Sequence, residues 1–200
     1  MSDVGAIAGT VFRVLTSSAV QRINFHFGTI HVDGTGLAAI GYLVIKAAAG
    51  EPGIRIEVVR YMDERVGAQY SPKENALKFR RVNFGGTSIE EATIVHECVH
   101  SLQDIYGGDV YPSDRGSKFV TESENEAAAY VAGQLYLIYK TGKPSGGSNI
   151  RYISGQIAQR IKDQPGAFVS IQEMDALRRE IVDTNIYEIN YKTPTFSDGP

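Results

Sequence analysis

The chain has 200 residues, of which 42% are hydrophobic, and a formal net charge of −3 at pH 7. That length and apolar content suit one folded domain with a substantial core, spanning 1–200, and exclude a disordered polar chain. The mild charge and the lack of any Lys/Arg run, Arg80-Arg81 and Arg178-Arg179 being isolated pairs, argue against a nucleic-acid partner.

Residues 4–20 read as helical. Arg13 interrupts the apolar part and no basic segment precedes it, so a secretory signal is not expected and the protein is assigned to the cytoplasm. Export by a signal-less route is compatible with this. In 22–32, Ile23, Phe25 and Phe27 alternate with Asn24 and His26, a strand signature as far as Gly28. His26 and His31 are an odd number of residues apart and would face opposite sides of an unbroken strand; both are read as structural. Residues 36–49 read as an apolar helix ending at Gly50. This is the longest apolar stretch, and it is too short, with Lys46 inside it, to span a membrane. Residues 54–59 alternate as a strand, and 68–79 read as a hairpin around the turn-rich segment 71–75.

The most informative stretch follows: His96-Glu97-Cys98-Val99-His100, an H-E-x-x-H pattern. Its surroundings predict a helix. Ser88 with Glu91 forms one capping-box register and Thr87 with Glu90 a second. Ile89, Ala92, Val95, Val99 and Leu102 recur at helical spacing, and Gly107-Gly108 gives a stop signal. On a helix, positions 96 and 100 lie one turn apart on one face, so two imidazoles can share one metal ion. Glu97 sits a step round, placed to act on water rather than on the ion, the arrangement of a zinc hydrolase. Cys98, the single cysteine, points away from that face and is read as a buried structural thiol. Asp104 is too far along the helix to share the ion; it either accepts a hydrogen bond from the other ring nitrogen of His100 or is a solvated carboxylate.

A site that keeps one position open for water needs a third protein ligand. The pattern H-E-x-x-H-x-x-G-x-x-H is absent, because Gln103 and Tyr106 stand where its Gly and His would fall. The acidic segment 121–130 opens a second helix, running to about residue 140, and at most one of Glu122, Glu124 and Glu126 is expected to ligate. Carboxylates in a first helical turn are otherwise explained by capping and the helix dipole. Glu126 is followed on its own face by Ala129, Tyr130 and Gly133, small enough in part for close helix contact, and is preferred. Glu124, aligned with Ala128, Val131, Leu135 and Ile138, is the rival.

Residues 107–120, rich in Gly, Pro, Ser and Asp, must turn the chain between the two helices. Tyr106, Tyr111 and Tyr130 could each donate to a developing oxyanion or simply pack. Residues 141–148 read as a flexible connector, and helices are predicted over 149–162 and 170–182, the latter opened by Ser170 and Glu173. The tail from 192 reads as polar and loose.

In its H-E-x-x-H and its Glu126-Ala127-Ala128-Ala129 segment the chain resembles the gluzincin branch of the zincin metallopeptidases, over roughly 70–140. The resemblance implies an α+β, zincin-like fold. A mixed α/β part over about 1–86 with a small sheet would precede a metal-binding helix pair over 87–140, with C-terminal helices over 149–183 and a loose tail over 184–200. It implies Zn²⁺ held by His96, His100 and Glu126, with Glu97 as general base in hydrolysis of a peptide or protein substrate. The 68–83 region would supply the cleft's edge strand, onto which an extended substrate adds. Two other readings stand beside it: a structural or inactive metal-binding module acting as an interaction partner, and a narrow-specificity effector or toxin protease.

Overall fold

The computed structural model describes residues 3–59, 62, 66–106, 119–184 and 194–196. Over these residues the chain is mixed α+β, with seven α-helices and small sheets, numbered below in chain order. Among the described residues no helix is long and apolar enough to cross a membrane.

The first helical stretch is two helices, α1 (Asp3–Leu15) and α2 (Ser18–Gln21), rather than one. Thr16 and Ser17 donate their hydroxyls back to the carbonyls of Phe12 and Val14, and Ser17 Oγ accepts from Val20 N to cap α2. Hydroxyl side chains that compete for backbone partners favour such a break. The strand expected from residue 22 is likewise a hairpin of β1 (Asn24–Phe27) and β2 (Ile30–Asp33). Gly28, at φ 61°, makes the turn in a conformation that costs other residues more. The turn resets the parity of the side chains. His26 therefore pairs with His31 and their rings stack 4.3 Å apart, instead of facing opposite sides.

Asp33 caps α3 (Gly34–Ala48), as its side chain accepts from Gly36 N. β3 (Arg55–Val58), β4 (Ala68–Ser71) and β5 (Ala76–Phe79) form a second sheet in the order β3-β5-β4, so β4 is its edge. The β4–β5 hairpin matches expectation; a 3-10 turn over Pro72–Glu74 and Asn75 at φ 44° close it.

α4 (Ser88–Tyr106) and α5 (Glu122–Thr141) are the predicted helix pair. The Thr87–Glu90 register supplies the reciprocal cap at the start of α4. Glu91, the partner in the other register, instead turns inward. It takes Arg13 at 2.8 Å, Lys140 at 3.0 Å and the Tyr136 hydroxyl at 2.9 Å, joining α1 and α5 to α4. The expected stop at Gly107-Gly108 lies outside the described residues.

α5 is buried almost all round from Ala127 to Ile138, with α4, α6 (Asn149–Ile161) and α7 (Ile171–Asp183) packed on it. Its small residues set how closely α4 can come. A Cβ added at Gly133 would lie 3.2 Å from the Ala92 carbonyl oxygen, tighter than an ordinary contact. The connector between α5 and α6 is tied down rather than free, because Gln134 accepts from Ser145 N and donates to Ser145 Oγ. β7 (Ala167–Phe168) adds parallel to β1, and β6 (Phe119–Thr121) pairs with β8 (Pro194–Phe196). The described part of the expected loose tail is thus held in a ladder; residues 192, 193 and 197–200 lie outside the described residues.

Candidate metal centre

α4 supplies His96, Glu97 and His100, and α5, running against it, supplies Glu126. The helical period brings both imidazoles to the face that meets α5. His96 Nε2 and His100 Nε2 are 3.2 Å apart; Glu126 Oε2 lies 3.3 Å from the first and Glu126 Oε1 3.3 Å from the second. Ligand atoms bonded tetrahedrally at ~2.05 Å stand about 3.3 Å from one another, so this is the spacing a small cation requires. His96, His100 and Glu126 can together hold a metal ion.

Two further observations fit that use. Glu126 Oε2 is buried without a hydrogen-bond partner among the described residues; its approach to His96 is close but lacks hydrogen-bond alignment. A buried oxygen left unsatisfied is costly, and a cation removes the cost. On the other side of the ring, His100 Nδ1 meets Asn125 Oδ1 at 3.0 Å. An amide oxygen there accepts the Nδ1 proton and leaves Nε2 free to ligate.

The electrostatics agree. Burial by itself would raise the Glu126 pKa, but His100 and His96 hold it far below the usual carboxylate range. Burial would lower that of His100, yet the Glu126 carboxylate, supported by Glu97 and Asn125, lifts it to about 9. These shifts describe a carboxylate facing a ring that keeps its proton, and a cation bound there would take that proton's place.

Glu97 is 8% exposed and stands beside the cluster without joining it. Its Oε2 accepts the Tyr70 backbone N–H at 2.8 Å. Arg80 N bonds to Gly67 O, so by the alternation of the ladder the N–H and C=O of Ala68 and Tyr70 point away from β5, towards α4. The edge strand thereby fixes the carboxylate. Burial pushes the Glu97 pKa up, opposed by the charges on His96 and His100 and by this N–H. Tyr70 is anchored in turn, since its hydroxyl donates to Asp104 Oδ2 at 2.6 Å.

A cavity of about 160 Å³ opens beside His96 and Glu97. Ala68 on β4, Ile89 on α4, and Tyr130 and Leu137 on α5 contribute to its wall, and Arg151 stands among its lining residues. Tyr130 also packs edge-on against His96, with ring centroids 4.7 Å apart.

His96, His100 and Glu126 are therefore brought together, with Glu97 adjacent. Glu124 is not: its Oε2 completes the capping box with Thr121, and its Oε1 pairs with Arg178 at 3.3 Å. Asp104 accepts from the Tyr70 hydroxyl, and Asn125 takes the role at His100 Nδ1 that was one of two alternatives for Asp104. Cys98 is fully buried in the core, and burial pushes its thiol well up. Tyr111 lies outside the described residues, as does the side chain of Tyr106. Asn125 was open to detection as the residue preceding the ligand; the Tyr70 N–H carries no side-chain signal.

Comparison with family models, with curated proteins and with solved structures finds no match to this chain.

Proposed function

We propose that the chain is a zinc-dependent peptide hydrolase with a zincin-like fold and a gluzincin ligand set. The observation that carries this is the triangle of His96 Nε2, His100 Nε2 and the Glu126 carboxylate, with Glu97 locked beside it by an edge strand. Two imidazoles and one carboxylate suit zinc, and three protein ligands leave a position for water or substrate.

When bound, zinc supplies Lewis acidity and makes water a nucleophile near neutral pH. Glu97 uses Oε1, since Oε2 is occupied by Tyr70 N–H, to take the proton from the attacking water and pass it to the leaving amine. The outward N–H and C=O of Ala68 and the C=O of Tyr70 align an extended substrate as an added strand. Tyr130, which packs against His96 and lines the cavity, would donate its hydroxyl to the oxygen that develops charge. The open cavity at His96 and Glu97 favours catalysis over a purely structural site, in which a fourth protein ligand closes the ion.

Elemental analysis of the purified protein tests the first half: one zinc per chain is expected, and His100→Ala loses it. Cleavage of a peptide pool tests the second. Glu97→Gln keeps the metal and lowers turnover by about 10²–10⁴-fold, the usual weight of general acid–base catalysis. A metal-free wild type, or a fully active Glu97→Gln, refutes the proposal.

A further inference from the structure

The geometry points to Arg151 as a specificity-determining residue that reads a carboxylate on the substrate, two to four residues from the bond cleaved. This rests on the hydrolase reading above and names the substrate class for the same site.

Arg151 lines the cavity that also holds His96, Glu97 and Tyr130. Its backbone is fixed there, because Gln134 on α5 donates to the Arg151 carbonyl at 3.3 Å while gripping Ser145 on the connector. Gln134 is buried, so this clasp is part of the packed body. The Arg151 side chain, by contrast, is exposed and makes no ion pair among the described residues. Glu97, the one carboxylate in the cavity lining among the described residues, lies at the metal end and is held by the Tyr70 N–H.

Arg151 is also a poor local choice for the helix it occupies. It is at the third position of α6, where Ser148 Oγ accepts its N–H. The first turn of a helix favours Asp or Glu and disfavours a cation, yet that turn of α6 has no acidic residue. A residue that breaks a local rule without a structural partner is the kind expected at a functional position. Guanidinium is the side chain best matched to a carboxylate, through two parallel hydrogen bonds.

Spacing along the cleft sets the distance. Glu126 and Gln134 are eight residues apart on α5, about 12 Å at the helical rise. An extended chain covers that in three or four residues at ~3.3 Å each, and the reach of the Arg side chain shortens the count. Two sources present the required group: an Asp or Glu side chain, or the carboxylate of a C-terminus.

The test uses the zinc-loaded full chain and a pool of synthetic peptides read by mass spectrometry. Cleaved bonds are expected to lie two to four residues from an Asp, a Glu or a free C-terminus. Amidating the C-termini leaves the cleavage pattern intact if a side chain is read, and abolishes it if a terminal carboxylate is read. Either result supports the inference. Arg151→Gln, at an exposed position, is expected to lower kcat/KM on acidic peptides by about 10–100-fold, as one charge-assisted pair is lost, and so to narrow the ratio of acidic to neutral cleavage. Arg151→Glu shifts the preference to Lys and Arg. As a readout apart from turnover, the Glu97→Gln protein binds an acidic peptide more tightly than its amide analogue, and the added Arg151→Gln change removes the difference. Cleavage with neither an Asp or Glu preference nor a dependence on a free C-terminus, or a preference that survives Arg151→Gln, overturns this inference and spares the hydrolase reading. No cleavage of any peptide by the zinc-loaded wild type overturns both.

Discussion

Asn125 offers the sharpest test of how the centre is organised. Its Oδ1 sits 3.0 Å from His100 Nδ1, ordinary length for an N–H···O bond, in the interface between α4 and α5. Asn125→Leu keeps the branched shape and the number of heavy atoms and removes the acceptor. The Nδ1–H is then left without its partner, which costs about 1–3 kcal/mol, and the ring loses the contact that fixes its tautomer and direction. The expected loss in zinc affinity is about 10–100-fold, or ~1.4–2.8 kcal/mol at 1.4 kcal/mol per decade. Asn125→Asp runs the other way: an anionic acceptor makes a stronger bond and a more basic ligand, so affinity is expected to hold or rise. The assay is competition against a chromophoric chelator at fixed pH, with helicity by circular dichroism as the folding control. Wild-type affinity in a folded Asn125→Leu protein would refute the positioning role.

Two further predictions concern the frame around the site. Gly133→Val places bulk where even a single Cβ meets the Ala92 carbonyl oxygen at 3.2 Å, so α5 must move from α4. It is expected to cost about 1–3 kcal/mol and to weaken zinc binding, whereas Gly133→Ala recovers much of its strain through a helix propensity gain of about 1 kcal/mol; thermal melts and chelator competition check both. Glu91 faces Arg13 on α1 with Lys140 and Tyr136 on α5. Burial would raise its pKa, but these partners hold it below the ordinary 4.5. A depressed folded-state pKa means the carboxylate stabilises the fold above 4.5 and ceases to do so as pH falls through the lower folded value. Glu91→Gln is thus expected to lose about 1–3 kcal/mol at neutral pH, with the gap to wild type closing in acid, as urea titrations across pH would show. A gap that does not change with pH would refute the assignment.

How much of this was open to reading residue by residue depends on the range of the interaction. The local signals were reliable where one segment decides its own state. The cap at Ser170, one of the two cap registers offered at the start of α4, the apolar period of α4, the β4–β5 turn and the i, i+4 pairing of His96 with His100 all follow from neighbours a few positions apart. They failed where a turn intervened. The breaks at Ser17 and Gly28 split one helix and one strand, and the second split put His26 against His31. The two-residue β7 and the β6–β8 pair leave no pattern in the chain, because such short strands exist only through their partners.

The sequence by itself determined a helix carrying two imidazoles and a carboxylate in metal-binding register, and a second helix rich in acids and small residues. Only the tertiary structure decided which acid meets the imidazoles. Glu124 and Glu126 are both near the start of α5, the second preferred along the chain and the first its rival. The former is spent on Thr121 and Arg178, and the latter is delivered to His96 and His100 by the close crossing at Gly133. The same crossing, with β4 beside it, decided that Asn125 would orient His100 and that a backbone N–H of Tyr70 would hold Glu97. Ligation and orientation depend on atoms within about 3 Å across separate elements, and no local periodicity encodes that distance.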